Sequence, residues 1–111
     1  MNAREVVILS GVRTAIGDYG GALKDVAATE LATTVVHAAV ARAGIDPNEA
    51  GHLVFGNVIH GETRDLYLAR VACINGGLPQ STAALTLNRL CGSGLQAIIS
   101  AAQTILLSDT D

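Results

Sequence analysis

The residues with the clearest chemical potential lie in segment 88–94, which reads NRLCGSG. Cys91 follows a predicted strand and immediately precedes a glycine-rich entry into a long predicted helix. Unpaired N–H groups and the positive end of a helix dipole favour a thiolate at such a position. Gly92 and Gly94 lack side chains, so a bulky substrate can approach the sulfur and backbone N–H groups can point at an oxyanion. The pattern indicates a nucleophilic cysteine; the alternative is a small buried cysteine beside glycines that only allow close helix packing.

Other residues able to do acid–base or metal chemistry are scattered along the chain. His37 falls opposite the apolar stripe of a predicted helix, His52 opens a predicted strand, and His60 lies in a polar loop. We expect each to be solvated or structural rather than catalytic. Cys73 lies on the apolar face of its predicted helix and is expected in the core. The spacing of the two cysteines and three histidines matches no disulfide framework and no metal motif, so free thiols and no metal are expected.

The elements that position Cys91 are strands and helices, which the sequence pattern predicts in alternation. Continuous aliphatic runs predict buried strands, and apolar residues at the 3.6-residue period predict helices, one of which stops at Gly44. Asp46 and Pro47 predict one short, capped helical turn. The sequence therefore predicts an α/β fold with mostly parallel strands. The strands are predicted at 6–10, 52–59 and 82–87, the helices at 29–43, 66–75 and 95–107, and long loops at 11–28 and 60–65.

The last predicted helix, 95–107, is almost without charge and is apolar around most of its circumference. Such a helix is expected to be buried on nearly all sides. Three strands and three helices offer too little material to cover it, so the chain is expected to be one part of a larger protein.

Charge and hydropathy limit the classes of partner and the cellular location that we expect for this protein. Ten acidic residues against seven basic ones give a net charge of −3, with no basic stretch to neutralise phosphates, so nucleic acid is not an expected partner. The only apolar run near the start, at 6–9, is too short for a signal-peptide core or a membrane span, and a cytoplasmic protein is expected. Arg64, Asp65 and Arg70 flank a predicted helix and are expected to be solvated charges that contribute little to stability; a subunit contact is the alternative.

The segment NRLCGSGLQAI resembles the nucleophile segment of thiolases, and two further stretches support the resemblance. SGVRTAIGDYGGALKDV, at 10–26, is similar to the family's opening signature, and VFGNV with ARVACINGGLP is similar to what lies between. Arg13 belongs to this signature and is expected to order its loop rather than contact the substrate. For Arg89, beside the nucleophile, a structural role and a substrate contact both stay open. The resemblance implies a thiolase-like α/β fold with a buried nucleophile helix. Residues 1–111 would be the first part of the amino-terminal thiolase domain, without the carboxy-terminal half.

The resemblance also implies a function, an acyl-CoA C-acyltransferase. Cys91 would carry the acyl group as a thioester, with its own backbone N–H in the oxyanion hole. The reaction would be thiolytic cleavage of a 3-ketoacyl-CoA or Claisen condensation of acetyl-CoA. Acetyl-CoA, acetoacetyl-CoA or another 3-ketoacyl-CoA, and CoA would be substrates, with no further cofactor and no metal. The intact protein would be a homodimer or homotetramer of fatty acid metabolism.

Residues 1–111 depart from the family pattern in one respect. Thiolases use a histidine that activates the nucleophile and a second cysteine that acts as acid and base, and neither is found in this sequence. We therefore expect the chain to be inactive alone. A non-catalytic thiolase-like protein that binds acyl-CoA or lipid, or serves as a scaffold, is the alternative. The related ketoacyl synthases also use a cysteine, but the CGSGLQA context is closer to thiolases.

Overall fold

The computed structural model describes residues 4–111 of the chain. Within this range helices and strands alternate, and two short 3₁₀ helices, Pro47–Glu49 and Thr63–Tyr67, precede β1 and α2. The order is α1 (Ala28–Ala43), β1 (His52–Gly56), α2 (Leu68–Asn75), β2 (Ala83–Leu87) and α3 (Ser93–Leu106). The predicted α/β class is confirmed.

The two strands form a parallel sheet. His52 lies opposite Ala83 at one end of the register, and Gly56 lies opposite Leu87 at the other. Parallel neighbours need a crossover connection, and α2 provides it. The Asn57 N–H donates to the Leu87 carbonyl at 2.9 Å, so the strands stay joined just beyond their ends. These ends are where the chain turns toward Cys91.

The hydrophobic core lies between α1, α2 and one face of the sheet. Small side chains let the helices approach closely, and a Cβ at Gly76 would lie 2.7 Å from Val36 Cγ1. Leu53 and Phe55 of β1 pack against this core. Cys73 is fully buried in it, as predicted. The buried members of the core are Ala32, Val36, Leu68, Ala72, Cys73 and Leu78.

Local signals at the end of α1 are confirmed by the backbone. Gly44 adopts a left-handed conformation with φ of 70° and ends the helix, a conformation that glycine adopts without steric cost. Asp46 Oδ1 then accepts the Asn48 N–H at 2.9 Å and caps the short 3₁₀ helix that begins at Pro47.

The strand predicted at 6–10 is wrong for the described chain. These residues join no ladder, and Val7, Ile8 and Leu9 are between 62% and 81% exposed. Val6, Val7 and Ile8 instead line one side of a groove of about 580 Å³, with β1 and α3 on the other side. Apolar character alone does not form a strand, because the backbone also needs a hydrogen-bonded neighbour.

Other element boundaries also differ from the prediction. The strand predicted at 52–59 ends at Gly56, and residues 63–67 form a 3₁₀ helix before α2 begins at Leu68. Leu66, within the 3₁₀ helix, and Arg70, in α2, are exposed, whereas Cys73 is buried. A short amphipathic segment tolerates either helix type, so its apolar spacing alone did not reveal the change.

The last helix, α3, is only partly covered within residues 4–111, as expected of a chain with too little material to bury it. Ser93 and Ala97 are the buried residues of α3, whereas Leu95 is 67% exposed and Ile98 is 57% exposed. One face of α3 packs against β1, and no other described element covers the rest. None of the helices in the described part of the chain combines the length and apolar character needed to cross a membrane.

Candidate active site

Cys91 lies in the connection between β2 and α3, two residues before the helix begins. It is a free cysteine and is exposed to solvent. Within residues 4–111 no hydrogen bond joins the Cys91 sulfur or N–H to another group, and the Cys91 backbone takes part only in an isolated bridge with Arg89. Both the thiol and the adjacent N–H are therefore available to an incoming group.

The turn that carries Cys91 has an unusual backbone. Leu90, directly before the cysteine, has a positive φ of 48°, a conformation that costs a non-glycine residue about 1 kcal/mol or more. Asn88 stabilises it, because its side-chain Oδ1 accepts the Leu90 N–H at 2.9 Å. Asn88 Nδ2 also lies 3.5 Å from the Val58 carbonyl, beyond the end of β1. The turn is thereby held against both strand ends.

Ser93, the first residue of α3, joins this turn to the helix. Its hydroxyl accepts the Arg89 N–H at 2.7 Å and donates to the Leu90 carbonyl at 2.7 Å. Gly56, the last residue of β1, lies directly against it, since a Cβ on Gly56 would be 2.7 Å from Ser93 Cβ. This close approach requires glycine at position 56 and sets the start of α3 on the end of β1.

The two glycines that follow Cys91, Gly92 and Gly94, differ in the space and the backbone N–H groups that they leave free. Gly94 has no atom within 4 Å of the position a Cβ would take, so the first turn of α3 offers free space. The Gly92 N–H, by contrast, donates to the Arg89 carbonyl at 3.1 Å and is not free to bind an anion. The N–H groups of Cys91 and Gly94, in contrast, donate to no backbone carbonyl within residues 4–111.

No histidine of the described chain hydrogen bonds to Cys91. His37 is exposed on α1, His52 begins β1 and His60 is exposed in the loop after β1, as predicted. A base for the thiol is therefore not found within residues 4–111. In the same range, no group of three or more His, Cys, Asp or Glu side chains is arranged to hold a metal ion.

The expectation that Asp65 is a solvated charge is wrong. Asp65 is 3% exposed, and its Oδ2 accepts the N–H groups of Gly61 at 2.7 Å and Glu62 at 3.1 Å. Asn57 Nδ2 donates to the Asp65 carbonyl at 2.9 Å, which ties this loop to the end of β1. The spacing of Glu62 and Asp65 matches a capping box, the signal that could have revealed this role.

The arginines near the site act locally. Arg70 donates to the carbonyls of Thr82 at 2.9 Å and Gln80 at 3.1 Å and so orders the approach to β2. Arg13 donates to the Thr14 carbonyl at 3.1 Å within its own loop. Arg89 Nη1 donates to Gln96 Oε1 at 2.5 Å, which adds a contact between the turn and α3. The exposed pair of Arg64 and Glu62, at 3.2 Å, fits the small weight expected of surface charges.

Comparison with known proteins places this arrangement in a family. Residues 6–111 match the family model described as "Thiolase, N-terminal domain". The chain is 66% identical over 108 residues to beta-ketothiolase BktB of Cupriavidus necator, an alignment that covers 97% of this chain and 27% of that protein. It is 40% identical over 107 residues to the acetyl-CoA acetyltransferase of the same organism, covering 96% of this chain and 27% of that protein.

Solved structures agree. The crystal structure of the Bacillus anthracis acetyl-CoA acetyltransferase superposes with a TM-score of 0.92 at 40% identity, covering 98% of this chain and 27% of that one. Human mitochondrial 3-ketoacyl-CoA thiolase in complex with CoA superposes with a TM-score of 0.82 at 39% identity, covering 86% of this chain and 24% of that one. The chain thus spans about a quarter of the length of these proteins.

Proposed function

Since this chain belongs to the thiolase family, we propose that the protein is an acyl-CoA C-acyltransferase in which Cys91 is the nucleophile. The observation that carries the proposal is an exposed, unpaired thiol held at the entrance to α3 by a turn with a strained residue. Strained backbone next to a reactive side chain is a feature of functional sites. The relatives named as beta-ketothiolase and acetyl-CoA acetyltransferase supply the reaction class.

In the cleavage direction, the Cys91 sulfur would attack the ketone carbon of a 3-ketoacyl-CoA. The carbon–carbon bond next to that ketone would break, and its electron pair would leave with acetyl-CoA and take up a proton. The acyl group would remain on the sulfur as a thioester, and the thiolate of CoA would then accept it. The free Cys91 N–H is suited to bind the carbonyl oxygen as negative charge develops there.

The proton transfers require groups beyond the described residues, because no histidine among them contacts Cys91. We propose that residues 1–111 are the first part of an amino-terminal thiolase domain and that the acid and the base come from the rest of the protein. The relatives are nearly four times longer, which supports this assignment. The chain alone is then expected not to turn over.

We propose CoA, acetyl-CoA and 3-ketoacyl-CoA as the substrates. The support is that a relative whose structure was solved in complex with CoA superposes on this chain. A homo-oligomer, a cytoplasmic location and a place in fatty acid metabolism stay predictions.

Intact mass spectrometry tests the role of Cys91. The protein, expressed from its complete natural reading frame, is incubated with acetoacetyl-CoA beside a Cys91→Ala variant. We expect the wild type to gain the mass of one acetyl group, the variant to gain none, and thiolysis by the variant to fall at least about 10³-fold. The Cys73→Ala variant serves as the control, because Cys73 is buried in the core and should not affect acylation.

Two results would contradict the proposal. Acetylation of Cys91→Ala to the wild-type extent would place the nucleophile elsewhere. Binding of acetoacetyl-CoA by the wild type without any acetyl transfer would favour a non-catalytic thiolase-like binding protein.

A further inference from the structure

We propose that Ser93 and Asn88 are positioning residues for Cys91, which hold the turn between β2 and α3 in the conformation that presents the thiol. This inference rests on the proposed role of Cys91 as the nucleophile. Neither side chain is expected to touch the substrate. Each acts on Cys91 through the backbone of Leu90.

The need for positioning comes from the backbone of the turn. Leu90 has a φ of 48°, in the left-handed region that disfavours a side chain like leucine. Its own side chain is 69% exposed, so packing of that side chain does not hold it there. The conformation therefore depends on hydrogen bonds to the Leu90 main chain.

Asn88 supplies the bond to the Leu90 N–H. Its Oδ1 accepts that N–H at 2.9 Å, which closes an Asx turn across the strand exit. An asparagine side chain is well suited to this local hydrogen bond, because it is short enough to reach the backbone N–H two residues further along. The Asx turn directs the chain from β2 toward Cys91.

Ser93 makes two bonds to the Leu90 carbonyl, one from its backbone N–H at 3.0 Å and one from its hydroxyl, and only the hydroxyl bond is lost on substitution by alanine. Its hydroxyl donates to Leu90 O and accepts from Arg89 N, both at 2.7 Å, so the turn is joined to α3 on the far side of Cys91. Ser93 is 4% exposed, and water therefore does not compete readily for these bonds. Cys91 therefore lies between Leu90, whose carbonyl the Ser93 hydroxyl holds, and Ser93 itself.

The backbone of Ser93 is itself held in place by its contact with the end of β1. Gly56 lies so close that a Cβ there would be 2.8 Å from the Ser93 carbonyl carbon. The Ser93 backbone therefore cannot shift toward β1, and loss of its hydroxyl would be felt in the turn rather than absorbed by movement of the helix. Misplacing a reacting atom by about 1 Å can cost about 100-fold in rate.

The test uses Ser93→Ala, Asn88→Ala and Asn88→Asp in the protein expressed from its complete natural reading frame. Asn88→Asp keeps the acceptor for the Leu90 N–H, so it should recover most of what Asn88→Ala loses. Ser100→Ala is the matched control, because Ser100 lies on the same helix and its hydroxyl only accepts the Gln96 side-chain amide at 3.1 Å. Thermal unfolding checks that each variant is folded at the assay temperature.

We measure kcat and KM for thiolysis of acetoacetyl-CoA, and separately the rate at which iodoacetamide alkylates Cys91. The alanine variants are expected to lower kcat about 10- to 100-fold with KM within about threefold, and to slow alkylation about tenfold. Asn88→Asp is expected to stay within about fivefold of wild type. Ser100→Ala should match wild type in both assays.

Unchanged kcat and alkylation in folded Ser93→Ala and Asn88→Ala proteins would overturn the inference, as would equal losses in Asn88→Asp and Asn88→Ala. The alkylation assay separates this failure from failure of the proposed function. If the wild type shows no thiolysis, the proposed function fails, while slower alkylation in the alanine variants would still support positioning by these side chains.

Discussion

Cys91 depends on neighbours that are individually ordinary. Its exposure and its position before α3 come from the backbone of Leu90, and that backbone depends on Asn88 and on the buried hydroxyl of Ser93. Gly56 contributes by what it lacks, because its missing side chain lets α3 begin directly against the end of β1. The reactive residue is thus one part of a small, tightly connected unit.

A methyl group at Gly56 tests this connection. Gly56→Ala would place a Cβ 2.7 Å from Ser93 Cβ, so we expect overpacking to cost about 1–3 kcal/mol of stability and to displace the turn. Chemical denaturation measures the stability, and the iodoacetamide rate at Cys91 measures the displacement. Gly94→Ala is the control: it meets no atom within 4 Å and should be neutral or stabilising by up to about 1 kcal/mol. A Gly56→Ala protein as stable as wild type would show that the contact is not tight.

The elements around Cys91 are the β1–α2–β2 unit and the helix α3 that follows it, and the two helices have different surroundings. α2 connects the two parallel strands and is buried against α1, whereas α3 meets the sheet on one face and leaves apolar side chains exposed. The two cysteines reflect this difference, since Cys73 lies within α2 and Cys91 lies just before α3.

The difference predicts selective labelling. Iodoacetamide should modify Cys91 in the native protein and leave Cys73 unmodified until the protein unfolds, because Cys73 has no exposed surface. Peptide mapping after native and denaturing alkylation distinguishes the two sites within one molecule. Equal native rates at both cysteines would show that α2 does not stay packed against the core.

Residues 4–111 taken together leave large apolar side chains exposed on α3 and in segment 6–9, and contiguous apolar surface of this kind commonly marks a site that other protein covers. The groove between residues 6–8, β1 and α3 is lined largely by apolar side chains, and several outward positions of α3 are exposed. Beyond the part that matches this chain, the relatives contain additional residues that amount to about three times its length and could cover such a surface. We therefore expect the 111-residue polypeptide to depend on further protein for solubility.

A charge at Ile98, which is 57% exposed and lines the groove, tests this at the scale of the whole molecule. Ile98→Glu should raise the solubility of the isolated 111-residue polypeptide, because it interrupts the apolar surface. In the protein expressed from its complete natural reading frame, the same change should lower stability by about 2 kcal/mol or more, because a charge would then be buried. Ala41→Glu adds the same charge at an exposed position of α1 and should have little effect in either context. Equal effects of Ile98→Glu in both proteins would show that this face stays exposed.

Local sequence patterns predicted much of the fold and the position of the candidate nucleophile. The periodicity of α1, the stop at Gly44 and the cap at Asp46 depend on neighbouring residues, and each was confirmed. The turn and helix around Cys91 were equally visible, because glycines and a long apolar helix are local signals. The family resemblance was also a property of the sequence alone.

Only the tertiary structure decided which polar residues are buried and which apolar ones are not. The capping-box spacing of Asp65 with Glu62 is a local signal, but the burial of this charged residue was decided by the packing of its loop against the end of β1, where Asn57 donates to its carbonyl. Segment 6–10 had the composition of a strand, but a strand also needs a partner at hydrogen-bonding distance. The contact of Gly56 with Ser93 joins residues 37 positions apart in sequence. Such contacts depend on how elements pack in space, whereas helix ends and turns are set by neighbours along the chain.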